Sequence, residues 1–239
     1  MKLILFSFIT SFVFYSCSKD AEIKPDETML SLHFKHFMGN DSLKLKSTYY
    51  QNAAKDSFSV SSFRYFVGKI KGKSSQNKQW ITLSNNYFLI DEEFNKEISA
   101  LNIPFQQYDS LLFEVGVDSV NTYQSDFKGD LSQSTGMYWE WNKMYIHFML
   151  DGYYKQTSTY SRGYVFHLSG FENVQKVKLS MSDIVFAKNK LTTLNLKVDI
   201  LKYFEKPQLI DFNTYNNVTT GKQAQEVAPN LKSIFSIVN

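Results

Sequence analysis

Few side chains in this sequence could do chemistry. Four histidines (His33, His36, His147 and His167), seven methionines and one cysteine, Cys17, are the whole supply of imidazole and sulfur ligands. Imidazole with thioether suits copper, Cu(I) ahead of Cu(II), whereas calcium would need a carboxylate-rich loop that the sequence lacks. Trp139 and Trp141 stand two apart in Gly136-Met137-Tyr138-Trp139-Glu140-Trp141-Asn142. On a regular strand they share a face with Met137, and Tyr138 and Glu140 take the other face. Such a surface serves either as core packing or as the wall of a site. Cys17, at the end of an apolar leader, is read as acylated, so the folded part has no thiol for a disulfide, a thiolate metal centre or a nucleophile. No serine sits in a nucleophile elbow, no paired carboxylates share a strand face, and no glycine loop cradles phosphate. The chain therefore reads as a binding protein and not an enzyme. Asp91, Asp118 and Asp151, at strand ends, read as turn and loop-stabilising groups.

The elements that must position these residues begin after an export signal. Lys2 and the apolar run Leu3 to Tyr15, followed by Ser16-Cys17 and the polar Ser18-Lys19-Asp20, form a signal peptide over residues 1–16 with Cys17 as an acylated first residue. Residues 17–27 read as a tether and 28–239 as a single β domain. The expectation is a monomer held by lipid in the cell envelope, at the outer membrane or facing the periplasm. The net charge of +3 is spread along the chain instead of gathered in blocks, so nothing argues for nucleic acid.

Alternation predicts strands over Thr28–Phe37, Phe58–Ile70, Gln79–Ile90, Leu111–Val117, Tyr145–Leu150, Tyr164–Leu168, Val174–Met181, Asp183–Phe186 and Leu191–Leu201, with Ile98–Ile103 as an edge strand ended by Pro104. Leu43 and Leu45 start a further strand. In the first strand Leu30, Leu32, Phe34 and His36 share one face while His33 takes the other, so the two histidines cannot chelate one ion unless a bulge intervenes. His36 on an apolar face serves either as a hydrogen-bonded core group or as a ligand. Residues 118–135 form a long polar loop of the kind that carries function. Lys222 to Phe235 alone has helical spacing, with Pro229 set to kink or split it. The fold class is all-β, an antiparallel β-sandwich or flattened barrel with one C-terminal helix.

Read in order, several pieces carry a resemblance: His36-Phe37-Met38-Gly39, Phe58 to Ile70, Tyr87-Phe88-Leu89-Ile90-Asp91, Phe113 to Ser119, Gly136 to Asn142, Leu150-Asp151-Gly152, Phe166 to Phe171 and Ala224 to Asn230 with Phe235. In that order the chain resembles the MbnP-like family of copper-binding proteins, of the MopE and CorA type, in its bacterial lipoprotein form. The resemblance implies a mononuclear copper site between His36, His167 and a tryptophan, Trp139 or Trp141, that some members carry oxidised to kynurenine. It further implies a dihaem peroxidase-like partner that performs the oxidation. Leu168-Ser169 departs from the usual pattern after the histidine, and Lys143-Met144 replaces a glycine common before Tyr145. His147, where an apolar or amide residue is commoner, reads as a surface substitution. The rival reading is a metal-free β-sandwich lipoprotein that serves as a scaffold binding protein, peptide or glycan.

Overall fold

A computed structural model describes residues 26–238. The signal peptide expected over residues 1–16, Cys17 and residues 18–25 of the tether lie outside the described residues. Glu27, expected at the end of the tether, already pairs with Pro104 in a strand.

Two sheets are built from alternating β-branched, aromatic and polar residues. The smaller runs Phe235–Val238, Leu191–Asp199, Glu27–Met38 and Asp41–Ser42, with Glu97–Pro104 also paired to Glu27–Met38. The larger runs Gln175–Ser180, Tyr108–Val115, Ser57–Ser74, Met144–Lys155, Ser161–Ser169 and Asn217–Val218. Most pairs are antiparallel, as the alternating pattern predicts, but Glu27–Met38 lies parallel to Leu191–Asp199. The two are far apart in sequence, so no hairpin dictates their direction. The architecture is a β-sandwich of curled, mixed sheets.

The hub is Ser57–Ser74, a strand of 18 residues that pairs with Met144–Lys155 early, with Tyr108–Val115 later, and with Trp80–Asp91. Its alternation determines what each face of the large sheet can hold. Phe63, Tyr65 and Val67 point inward and join the main core with Leu30, Leu32, Phe34, Leu194 and Leu196. Phe66 points outward into a second cluster with Tyr87, Leu89, Val117, Met137, Tyr145 and Met149. The large sheet is thus packed on both faces, by the smaller sheet inside and by the segment after Val117 outside. Full burial of one such aromatic contributes about 2–3 kcal/mol.

That outer cover differs from the expected polar loop. Asp118 caps a short helix, Ser119–Gln124, by accepting from the Asn121 amide at 2.8 Å, and two 3-10 turns, Gly129–Leu131 and Gln133–Thr135, follow. Asp130 accepts from the amide of Leu89 at 2.8 Å, so the loop also satisfies a strand donor. The tryptophan strand is likewise shorter than predicted: only Tyr138–Trp139 pairs, against Tyr145 and Met144, and residues 140–143 form the turn. Lys143 takes a φ of +53° there, the left-handed conformation that glycine adopts without strain. Leu43, Leu45 and Asp183–Phe186 form no strand, although Leu43 and Phe186 are buried. The C-terminal helix splits at Pro229 into Gly221–Val227 and a 3-10 turn, Ala228–Ser233, and Phe235 leaves it to pair with Val198.

Candidate metal centre

The two histidines expected to share a copper ion lie on opposite faces of the large sheet. His36, on the inward face of the first strand, packs edge-on to Phe63 with ring centroids 4.7 Å apart and is 5% exposed. Its Nδ1 lies 2.7 Å from Glu92 Oε2 and its Nε2 3.0 Å from the Tyr65 hydroxyl. Burial opposes charge on both partners. It lowers the His36 pKa, with Glu92 partly offsetting the effect, and it pushes Glu92 up, which contacts from His36 and Lys96 outweigh to leave the carboxyl below its ordinary value. An ionised Glu92 therefore accepts from Nδ1–H of a neutral ring, and Nε2 accepts from Tyr65. Both nitrogens are used.

His167 belongs to the outward row. Tyr164, Phe166 and Leu168 of its strand enter the main core, so His167 faces away from it. Its register partner is Met149, whose own partner on the hub strand is Arg64. Because Phe63 and Tyr65 point inward and Arg64 outward, the sheet itself separates His167 from His36. The expected trio of His36, His167 and a tryptophan is not assembled: strand alternation divides it.

The structure does gather another set of residues around His167. Its Nε2 is 2.9 Å from both oxygens of Asp151; Oδ2 is the aligned acceptor, and Oδ1 is buried without a hydrogen-bond partner. Trp139 stands over the imidazole with centroids 6.0 Å apart, and Trp141 lies against Trp139 at 5.4 Å. The tryptophans do not share a strand face, because the turn begins between them: Trp139 is half-buried and Trp141 is 76% exposed at the tip. Among the described residues, no three or more His, Cys, Asp and Glu side chains are placed to hold a metal ion. Any centre here must therefore draw on other donors.

The scaffold for this cluster is firmly set. A Cβ on Gly152 would overlap the Ser59 carbonyl, and Tyr164 donates to that same carbonyl at 3.0 Å, which fixes the register of three neighbouring strands. The register shifts between Val60 and Ser62, and Ser62 then lies opposite Asp151. From the covering segment, the Thr135 carbonyl accepts from an Arg64 terminal nitrogen at 2.6 Å and that of Leu131 from the Tyr145 hydroxyl at 2.8 Å. Arg64 Nε in turn lies 2.7 Å from Asp91 Oδ2.

The other two histidines have structural partners. His33 faces outward, as predicted, 3.2 Å from Glu97. His147 is not the surface substitution expected from sequence: it is 1% exposed, where the end of Tyr108–Val115 gives way to Met144–Lys155 along the hub. Its Nδ1 accepts from the Val117 amide at 3.1 Å and its Nε2 donates to the Gly170 carbonyl at 3.0 Å. Burial pushes its pKa down to about 4, which keeps the ring neutral. Asp151, read from sequence as a turn residue, is the cluster member that sequence reasoning missed, since only strand register reveals its contact with His167.

The MbnP family profile matches residues 27–222. A comparison with curated proteins gives no match. Among solved structures, MbnP from Methylosinus trichosporium is similar in fold, with a TM-score of 0.54 at 12% identity, covering 88% of this chain and 98% of that one. The profile match spans the first strand, the hub, the tryptophan turn and the His167 strand, and on that span the chain belongs to the MbnP family.

Proposed function

We propose that the protein is a lipid-anchored envelope protein that binds copper on the outer face of its large sheet, around His167, for acquisition, buffering or delivery and not for turnover. The observation that carries this reading is the convergence of His167, Asp151 and Trp139 at a partly exposed spot on a rigid sheet. Membership of the MbnP family supports copper as the metal. The donor set fits it: His167 supplies an imidazole, and Asp151, whose buried Oδ1 lies beside that imidazole but accepts no aligned hydrogen bond, supplies a carboxylate to a cation. Trp139, and not the outlying Trp141, is the indole that a dihaem peroxidase-like partner would convert to kynurenine beside the metal. His36 takes no part in holding the ion and serves the core.

The test is copper retention. The full chain, extracted from membranes and loaded with Cu(I) under reducing conditions, should keep near-stoichiometric copper against a competing chelator. His167→Ala should keep none while remaining folded. A folded wild type that keeps no copper before or after treatment with the oxidising partner would overturn the copper reading. Labelling by a fatty acid that Cys17→Ser abolishes tests the anchor. The scaffold reading draws on Trp141 and Tyr123, 76% and 74% exposed on the covering segment. It would gain if copper is absent and these aromatics are protected by a bound partner.

A further inference from the structure

One imidazole does not make a copper site, and the other three histidines are excluded by position. His36 lies behind the sheet, His147 has both nitrogens bonded, and His33 projects from the first strand toward Glu97. The missing donors must come from the outward row itself. Met149 is the direct cross-strand partner of His167, so the two side chains leave the sheet on the same side. It is 8% exposed. Its sulfur lies 3.8 Å from the hydroxyl of Ser62, and Ser62 is the cross-strand partner of Asp151. Two adjacent strands, Met144–Lys155 and Ser161–Ser169, therefore carry a thioether, a carboxylate and an imidazole on one face of the sheet.

The geometry points to Met149 and Asp151 as the donors that complete the centre at His167, giving a His-Met-Asp set that selects Cu(I). This rests on the copper reading above and names its ligands. Two features set Met149 apart from an ordinary core methionine. Its sulfur meets a hydroxyl and not only hydrocarbon, and that hydroxyl belongs to Ser62, the cross-strand partner of Asp151, whose buried Oδ1 accepts no aligned hydrogen bond. A soft thioether favours Cu(I) over zinc or calcium, and the ion takes the place of the proton between His167 Nε2 and Asp151, which is released, so that both groups serve as donors. The outer cluster that contains Met149 and packs against Trp139 shields the sulfur from water.

The test is X-ray absorption at the copper edge on the full chain extracted from membranes and loaded with Cu(I). The expected spectrum contains a sulfur scatterer at about 2.3 Å, the usual metal–sulfur distance. Met149→Leu should lose it and Met144→Leu should keep it. Asp151→Asn should weaken retention against the chelator by roughly tenfold or more, the effect expected when a metal-supporting group is removed. If Met149→Leu does not fold, selenomethionine-labelled protein without substitution supplies the check, as a copper neighbour at the selenium edge. Copper bound through nitrogen and oxygen alone, or a sulfur shell that survives Met149→Leu, would overturn the assignment and leave the copper reading standing. Loss of all copper from a folded wild type would overturn both.

Discussion

His36 and His167 invite comparison because each sits on a β-strand beside an aromatic ring and a carboxylate, yet their surroundings are opposite. His36 has Glu92 on one nitrogen and Tyr65 on the other, inside the sandwich. His167 has Asp151 on one nitrogen, a half-buried indole above it, and access to solvent. A buried imidazole whose two nitrogens are both satisfied by the chain holds structure together; one with a single nitrogen bonded, at a spot open to solvent, has a nitrogen left for a ligand. The dividing wall between the two is the large sheet, with Phe63 facing His36 on its inner side and Met149 beside His167 on its outer side.

The comparison is broken most directly by removing His36. His36→Ala should destabilise the fold by about 3 kcal/mol, since it opens a cavity against Phe63 and strips Glu92 and Tyr65 of their partner. Urea midpoints measure this, and the protein that stays folded should still bind copper. An effect of similar size is expected from acid. His147 has its pKa lowered from 6.5 to about 4 by burial, so between these values the unfolded chain binds more protons than the native one. The stability His147 contributes is complete above pH 6.5 and is lost as pH falls toward 4, to the extent of about 3 kcal/mol. His36, also lowered, adds in the same direction. Urea midpoints across that range should fall in the wild type and fall less in His147→Gln.

A smaller change should follow Arg64→Met, which releases Asp91 and the Thr135 carbonyl and so loosens the covering segment. The expected cost is about 1–2 kcal/mol, with faster amide exchange after Thr135 as the more specific sign. Smallest of all is Trp141→Ala, which should alter stability by less than about 0.5 kcal/mol because that ring projects into solvent. If copper quenches indole emission through Trp139, quenching should survive Trp141→Ala and vanish in Trp139→Phe.

Much of the sandwich was legible in the sequence because alternation is a local property. Leu30, Leu32, Phe34 and His36 on one face, Tyr164 and Phe166 opposite His167, and the split at Pro229 all follow from neighbours along the chain. What alternation does not give is register between strands distant in sequence. The sequence alone therefore assigns no common face to Met149, Asp151 and His167, nor opposite faces to His36 and His167. The tryptophan pair shows the same limit from the other side. Spacing alone predicts one shared face, but the turn at residues 140–143 intervenes, and Lys143 in a left-handed conformation conceals it from a reader looking for glycine. His147 was misplaced because its partners, the Val117 amide and the Gly170 carbonyl, are backbone groups with no sequence signature.

The central claim, that copper binds outside the large sheet and not through it, rests most directly on copper retained per chain by folded His36→Gln and His167→Gln proteins after equal exposure to Cu(I) and a competing chelator. The account predicts near wild-type retention in His36→Gln and none in His167→Gln. Loss of copper from folded His36→Gln, with retention in His167→Gln, would contradict it.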